Sequence, residues 1–236
     1  MILFIVFLIP LIGTTIGAIL VFFIKHDFIK KVEKLFAGLA AGVMLASSIW
    51  SLIIPSLELS EGYNSLKFLP STIGFSLGII IMMLSDKILE NKDINKMNFA
   101  VVIHNIPEGL AVGIALAAAL TNNSLLLSEA IILAFGIAVQ NIPEGGIVSL
   151  NLNTKHSKLK SFFQGFLSGV VEPLASLLAF ISVAYVSPLM PYFLSFAAGA
   201  MIFVVVSELI PNSKSNICTF GILIGFNIMM ILDVML

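Results

Sequence analysis

The sequence predicts an all-α membrane protein of eight transmembrane helices in a 3+2+3 arrangement with inverted repeats, both termini extracytoplasmic, forming one domain over residues 1–236. Three observations predict it. The 236 residues are 59% hydrophobic and 11% charged, with a mean hydropathy of +1.11, whereas about a quarter of an ordinary soluble domain is charged. Ten of the twelve lysines fall in alternate connections between apolar runs. Two pairs of apolar segments also repeat one another's sequence.

Segments of about 20 residues suffice to cross the hydrocarbon core. They lie at about 1–24, 35–56, 69–89, 97–120, 125–150, 161–183, 187–210 and 216–236. The first reads as a helix rather than a cleaved leader, because no Lys precedes Lys25 and its apolar run is too long. Lys25, Lys30, Lys31 and Lys34 follow the first segment, Lys87, Lys92 and Lys96 the third, and Lys155, Lys158 and Lys160 the fifth. Only Lys67 and Lys214 lie on the other side. Short basic loops stay cytoplasmic, which turns both termini outward. The net charge of -1 speaks against nucleic acid as a partner. The single Cys218 supports neither a disulfide framework within the chain nor a Cys-based zinc cluster.

The first, second, third, fourth, sixth and eighth segments carry glycines four apart, such as Gly13/Gly17 and Gly221/Gly225, which let membrane helices approach closely. The second segment reads Ala40-Ala41-Gly42-Val43-Met44 and ends at Pro55, and the seventh reads Ala197-Ala198-Gly199-Ala200-Met201 and ends at Pro211. These two run in opposite directions, as inverted repeats do, and such repeats hold their substrate at the interface near the midplane.

The chemistry concentrates in the central pair. His104-Asn105-Ile106-Pro107-Glu108-Gly109 and Gln140-Asn141-Ile142-Pro143-Glu144-Gly145 share five residues of six. Hydrocarbon makes a carboxylate, an amide and a helix-breaking Pro costly, so these groups read as functional. Residues four apart stack on one helix face. His104 therefore stands over Glu108, and Gln140 over Glu144, with Asn105 and Asn141 beside them. At a rise of 1.5 Å per residue both motifs lie about 25 Å from the outer ends of their helices, at one level. Pro107 and Pro143 each remove a backbone donor, freeing the carbonyls of Ile103 and Val139 and bending the helix. Two buried acids without an intramembrane Lys call for a metal cation.

Glu172-Pro173 in the sixth segment adds a third carboxylate. Met44 offers a thioether, although Met is more often a filler of cores. Glu58, Glu61 and Glu208 read as solvated or entrance charges, and Asp233 as wet. Imidazole, carboxylates and amides together favour a borderline divalent metal such as Zn²⁺, Fe²⁺ or Mn²⁺ over Mg²⁺. A structural zinc site would be closed and rich in Cys or His; a mixed site suits an ion that must leave again. That ion is cargo, and no cofactor is expected.

On these motifs the chain resembles the ZIP (Zrt/Irt-like protein) family of divalent metal transporters, prokaryotic type, with Gly42-Val43-Met44-Leu45 and Glu172-Pro173 adding to the likeness. The resemblance implies a binuclear centre of His104, Glu108, Gln140 and Glu144 joined by Met44, with Asn105, Asn141 and Glu172 completing the second position. It implies transport of Zn²⁺ first, with Fe²⁺, Mn²⁺ and Cd²⁺ as further candidates, into the cytoplasm across the cell (inner) membrane. The implied partners are divalent metal ions and the lipid bilayer, with a homodimer left open. Gln140 stands where many members have His, and Asn141 where some have Asp. The stretch from Asp86 to Lys96 lacks the His-rich loop of the family. Two other readings compete with this one. An intramembrane metalloenzyme wants an open metal position and a base, yet no His-Glu-x-x-His motif or second intramembrane His occurs. A non-metal solute carrier would have little use for a His/Glu cluster without counter-charge.

Overall fold

The computed structural model describes residues 2–24, 29–90, 96–121, 127–153, 156–185 and 187–235, and its regular structure among them is entirely helical. The helices are α1 (Ile2–Ile19), α2 (Ile29–Ser47), α3 (Phe68–Glu90), α4 (Lys96–Thr121), α5 (Leu127–Leu152), α6 (Lys158–Gly169 and Val171–Tyr185), α7 (Met190–Val204) and α8 (Asn216–Met235). Seven are long and apolar enough to cross a membrane, and the 26-residue α4 contributes a shorter apolar stretch, Asn105–Leu120. Each predicted segment holds one of these helices.

Proline shapes three of them differently from the sequence expectation. α2 and α7 do not end at Pro55 and Pro211. Each widens into a π turn, Ser48–Ile53 or Val205–Leu209, and then continues as α-helix over Ile54–Glu58 or Ile210–Ser213. A proline ring lacks the N–H and collides with the carbonyl four residues back. Loosening the preceding turn by one residue lets the chain pass through. α6 instead breaks at Val170, where Pro173 cannot donate to the carbonyl of Gly169.

Helices sit in pairs. The broadest contacts join α2 to α8, α3 to α7, α1 to α5 and α4 to α6. Exchanging α1, α2 and α3 for α6, α7 and α8, and α4 for α5, converts this set of pairs into itself. Glycine makes the pairing close. A Cβ on Gly38, Gly42, Gly221 or Gly225 would strike backbone across the α2–α8 seam, and one on Gly74, Gly78 or Gly199 would do so between α3 and α7. Lipid supplies no hydrophobic drive between helices, so such backbone approach is what holds them. α3 and α8 also share a dispersed pattern: Thr72, Gly74, Gly78, Met82, Met83 and Asp86 recur at equal spacing as Thr219, Gly221, Gly225, Met229, Met230 and Asp233.

The centre belongs to α4, α5 and α7. Every position from Ala111 to Ala118 is buried, as are Leu133, Ala134 and Ile137 of α5 and Ala197, Ala198 and Met201 of α7. α3 and α8 turn Leu77, Ile80, Leu223 and Ile231 outward.

Candidate metal centre

α4 and α5 run unbroken through Pro107 and Pro143 and bring their motifs into contact. Gln140 Nε2 donates to Glu108 Oε1 at 2.5 Å, and both side chains are fully buried. The contact joins the first residue of one motif to the fifth of the other, so its counterpart across the repeat is His104 with Glu144. The backbone of His104 lies in α4, one turn before Glu108, and its side chain is outside the described residues. Glu144 is partly buried on α5, one turn after Gln140.

A second group surrounds Glu172, which is fully buried in α6. Its Oε1 accepts from Asn105 Nδ2 at 3.0 Å and from Thr14 Oγ1 at 3.1 Å, and its Oε2 accepts from Asn141 Nδ2 at 2.7 Å. Asn105 also donates to the Ser168 carbonyl at 2.9 Å, and Asn141 to the Pro10 carbonyl at 3.4 Å. Four helices, α1, α4, α5 and α6, thus meet on one carboxylate. Gly109 permits this, since a Cβ there would overlap the backbone of Glu172.

Four buried oxygens are left over: Asn105 Oδ1, Glu108 Oε2, Gln140 Oε1 and Asn141 Oδ1 find no hydrogen-bond partner among the described residues. Buried polar atoms are nearly always paired. An acceptor can be satisfied by a donor or by a cation, and all four of these are acceptors. Glu108, Glu144 and Glu172 are moreover close enough to act on one another electrostatically, a like-charge cluster that a cation would relieve. Among the described residues no three His, Cys, Asp or Glu side chains converge tightly enough to hold an ion alone.

The remaining sequence candidates fall as follows. Asn105, Glu108, Gln140, Asn141 and Glu172 are brought together. Met44 is fully buried in α2, within the central apolar core. Asp233 departs from its expectation as a wet acid: it is partly buried and accepts from Ser51 Oγ at 2.7 Å, because the π turn of α2 lies against α8. Sequence reasoning missed Thr14. Its one signal was a hydroxyl inside the Gly13/Gly17 pair of α1.

The chain is similar to known proteins. The family model described as ZIP Zinc transporter matches residues 95–233. Zinc transporter ZIP11 of Xenopus tropicalis is 31% identical, the match covering 84% of this chain and 86% of that protein. Zinc transporter GufA of Myxococcus xanthus is 29% identical over 95% of this chain and 94% of its own length. Zinc transporter ZIPB of Bordetella bronchiseptica is 29% identical, covering 83% and 69%.

Proposed function

Because this chain belongs to the ZIP family of zinc transporters, we propose that it carries Zn²⁺ through the buried cluster between α4 and α5, into the cytoplasm. It is a multi-pass membrane transporter of divalent metal and not an enzyme. The observation that carries the reading is the set of four buried acceptor oxygens without a partner among the described residues, beside the fully buried Glu108 and Glu172. His104 and Glu144 are the main transport ligands, with Glu108 and Gln140 opposite them and Met44 joining this group, and Asn105, Asn141 and Glu172 forming the adjoining position. Fe²⁺ and Mn²⁺ suit the same mixture of imidazole and oxygen ligands, and Cd²⁺ is a further candidate cargo. The symmetric pairing of helices supports the 3+2+3 inverted repeat, and the lysine bias supports outward termini in the cell membrane.

Uptake of ⁶⁵Zn into proteoliposomes tests the assignment. His104→Ala and Glu144→Ala should each lower the initial rate by about tenfold or more, as loss of a direct ligand costs at least one factor of ten in affinity. Equal uptake by native protein and both variants would remove the site from the path.

Protons compete with metal for carboxylate and imidazole ligands, which must be deprotonated to bind. Zinc uptake should therefore climb from pH 5 to pH 8 at fixed free metal. A flat profile in the same vesicles would contradict ligand-limited transport.

A further inference from the structure

Glu172 is over-supplied with donors for a group that should reach out to an ion. Three side chains donate to it, two on Oε1 and one on Oε2, filling three of the roughly four acceptor positions a carboxylate offers. An amide that gives its N–H to a carboxylate has no freedom in its other end. Asn105 and Asn141 must each turn Oδ1 away from Glu172, and those two oxygens are buried and without a partner among the described residues. The carboxylate thus aims two neutral oxygens.

Thr14 completes the arrangement, and its place is built. Gly145 of α5 lies on the backbone of Thr14, and Gly169 of α6 lies on its side chain; a Cβ at either would overlap it. The adjacent Thr15 shows what a helix threonine does without such a setting: its hydroxyl returns to the Leu11 carbonyl of its own helix at 2.7 Å. The equivalent bond from Thr14 to Pro10 is stretched to 3.4 Å, while Glu172 Oε1 lies at 3.1 Å. Thr14 is also almost wholly buried, at 1% exposure, so no water replaces the bond.

We propose that Thr14 is a positioning residue of the metal site: with Asn105 and Asn141 it holds Glu172 as an anchoring anion behind the ion, so that the two asparagine oxygens, not Glu172, face the metal. This rests on the reading of the cluster as the transport site, and departs from the ligand role that the family resemblance gives Glu172. Groups behind the direct ligands commonly tune affinity 10- to 100-fold.

The test is Zn²⁺ affinity of purified full-length protein, by titration against a competing chelator. Thr14→Val keeps the volume and loses the donor; Thr14→Ser keeps the donor and loses a methyl. Val should weaken binding about tenfold and Ser should stay within about threefold of native. A packing role demands the reverse order, and that order, or native affinity in Thr14→Val, would overturn the proposal. Infrared difference spectra on loading native protein with Zn²⁺ give a measurement that does not depend on how the Thr14 variants fold. The carboxylate band that disappears in Glu172→Gln should hold its position, and a ligand-type shift would overturn the proposal. Glu108→Gln separates the two claims. If it loses binding while Thr14→Val keeps it, only the role of Thr14 fails; if both bind as native, the site itself fails.

Discussion

Glu108→Gln should give a folded protein whose zinc uptake at limiting metal is lower by about 100-fold, equivalent to about 2.8 kcal/mol. Glu108 is fully buried, with one oxygen bound to Gln140 and the other without a partner among the described residues. Glutamine keeps the volume and can still meet Gln140, so the fold loses little. What goes is the negative charge at the meeting point of the two motifs. Truncating one member of a buried charge pair commonly costs 2–5 kcal/mol, and the metal would be the other member here. Initial-rate ⁶⁵Zn uptake into vesicles of matched protein content decides it. Retention of more than a third of native uptake would take Glu108 out of the pathway.

Gly225→Leu should unfold or strongly loosen the protein without touching the site. A side chain there would drive its Cβ into the Leu39 carbonyl and the Val43 amide of α2. Overpacking a core costs about 1–3 kcal/mol where side chains can yield. Backbone cannot yield without parting α2 from α8, so the upper end of that range is the floor. At 2–4 °C per kcal/mol for a chain of this size, the melting transition should fall by about 6–12 °C. Leu223→Ala is the control, two positions away on the lipid-facing side of α8, and it should melt within about 2 °C of native, as surface changes usually do. Thermal unfolding followed by size-exclusion chromatography compares them; equal melting of both variants would refute the close-packed seam.

How much of this was written in the chain depends on the range of the interaction. Segment positions follow from apolar length, and the partnership of α4 with α5 follows from two contiguous motifs. Glu172 declared itself because an acid in hydrocarbon needs a reason. Thr14 did not, because Thr14 and Thr15 are indistinguishable as sequence. Only the packing of α1 against α5 and α6 sends one hydroxyl to Glu172 and the other back into its own helix. Pro55 and Pro211 read as helix ends because local rules say so, while a widened π turn before each proline lets the helix continue past it. The α3–α8 likeness was present from the start. Its longest contiguous identity is only Ile81-Met82-Met83 against Ile228-Met229-Met230, and the rest is spread over turns of helix.

The pairing of helices has a consequence in time. None of the four broadest contacts joins helices adjacent in the chain. α2 with its continuation ends at Glu58 and its main partner runs from Asn216 to Met235. At a synthesis rate of about 5–20 residues per second, α2 waits on the order of ten to thirty-five seconds for α8 to emerge. Until its own partner emerges, the glycine face of each of α1, α2 and α3 stands open in the bilayer, and that of α2 waits longest. Of these helices α8 leaves the ribosome latest and closes the seam on α2, and a chain stopped before α8 would leave α2 without its main partner.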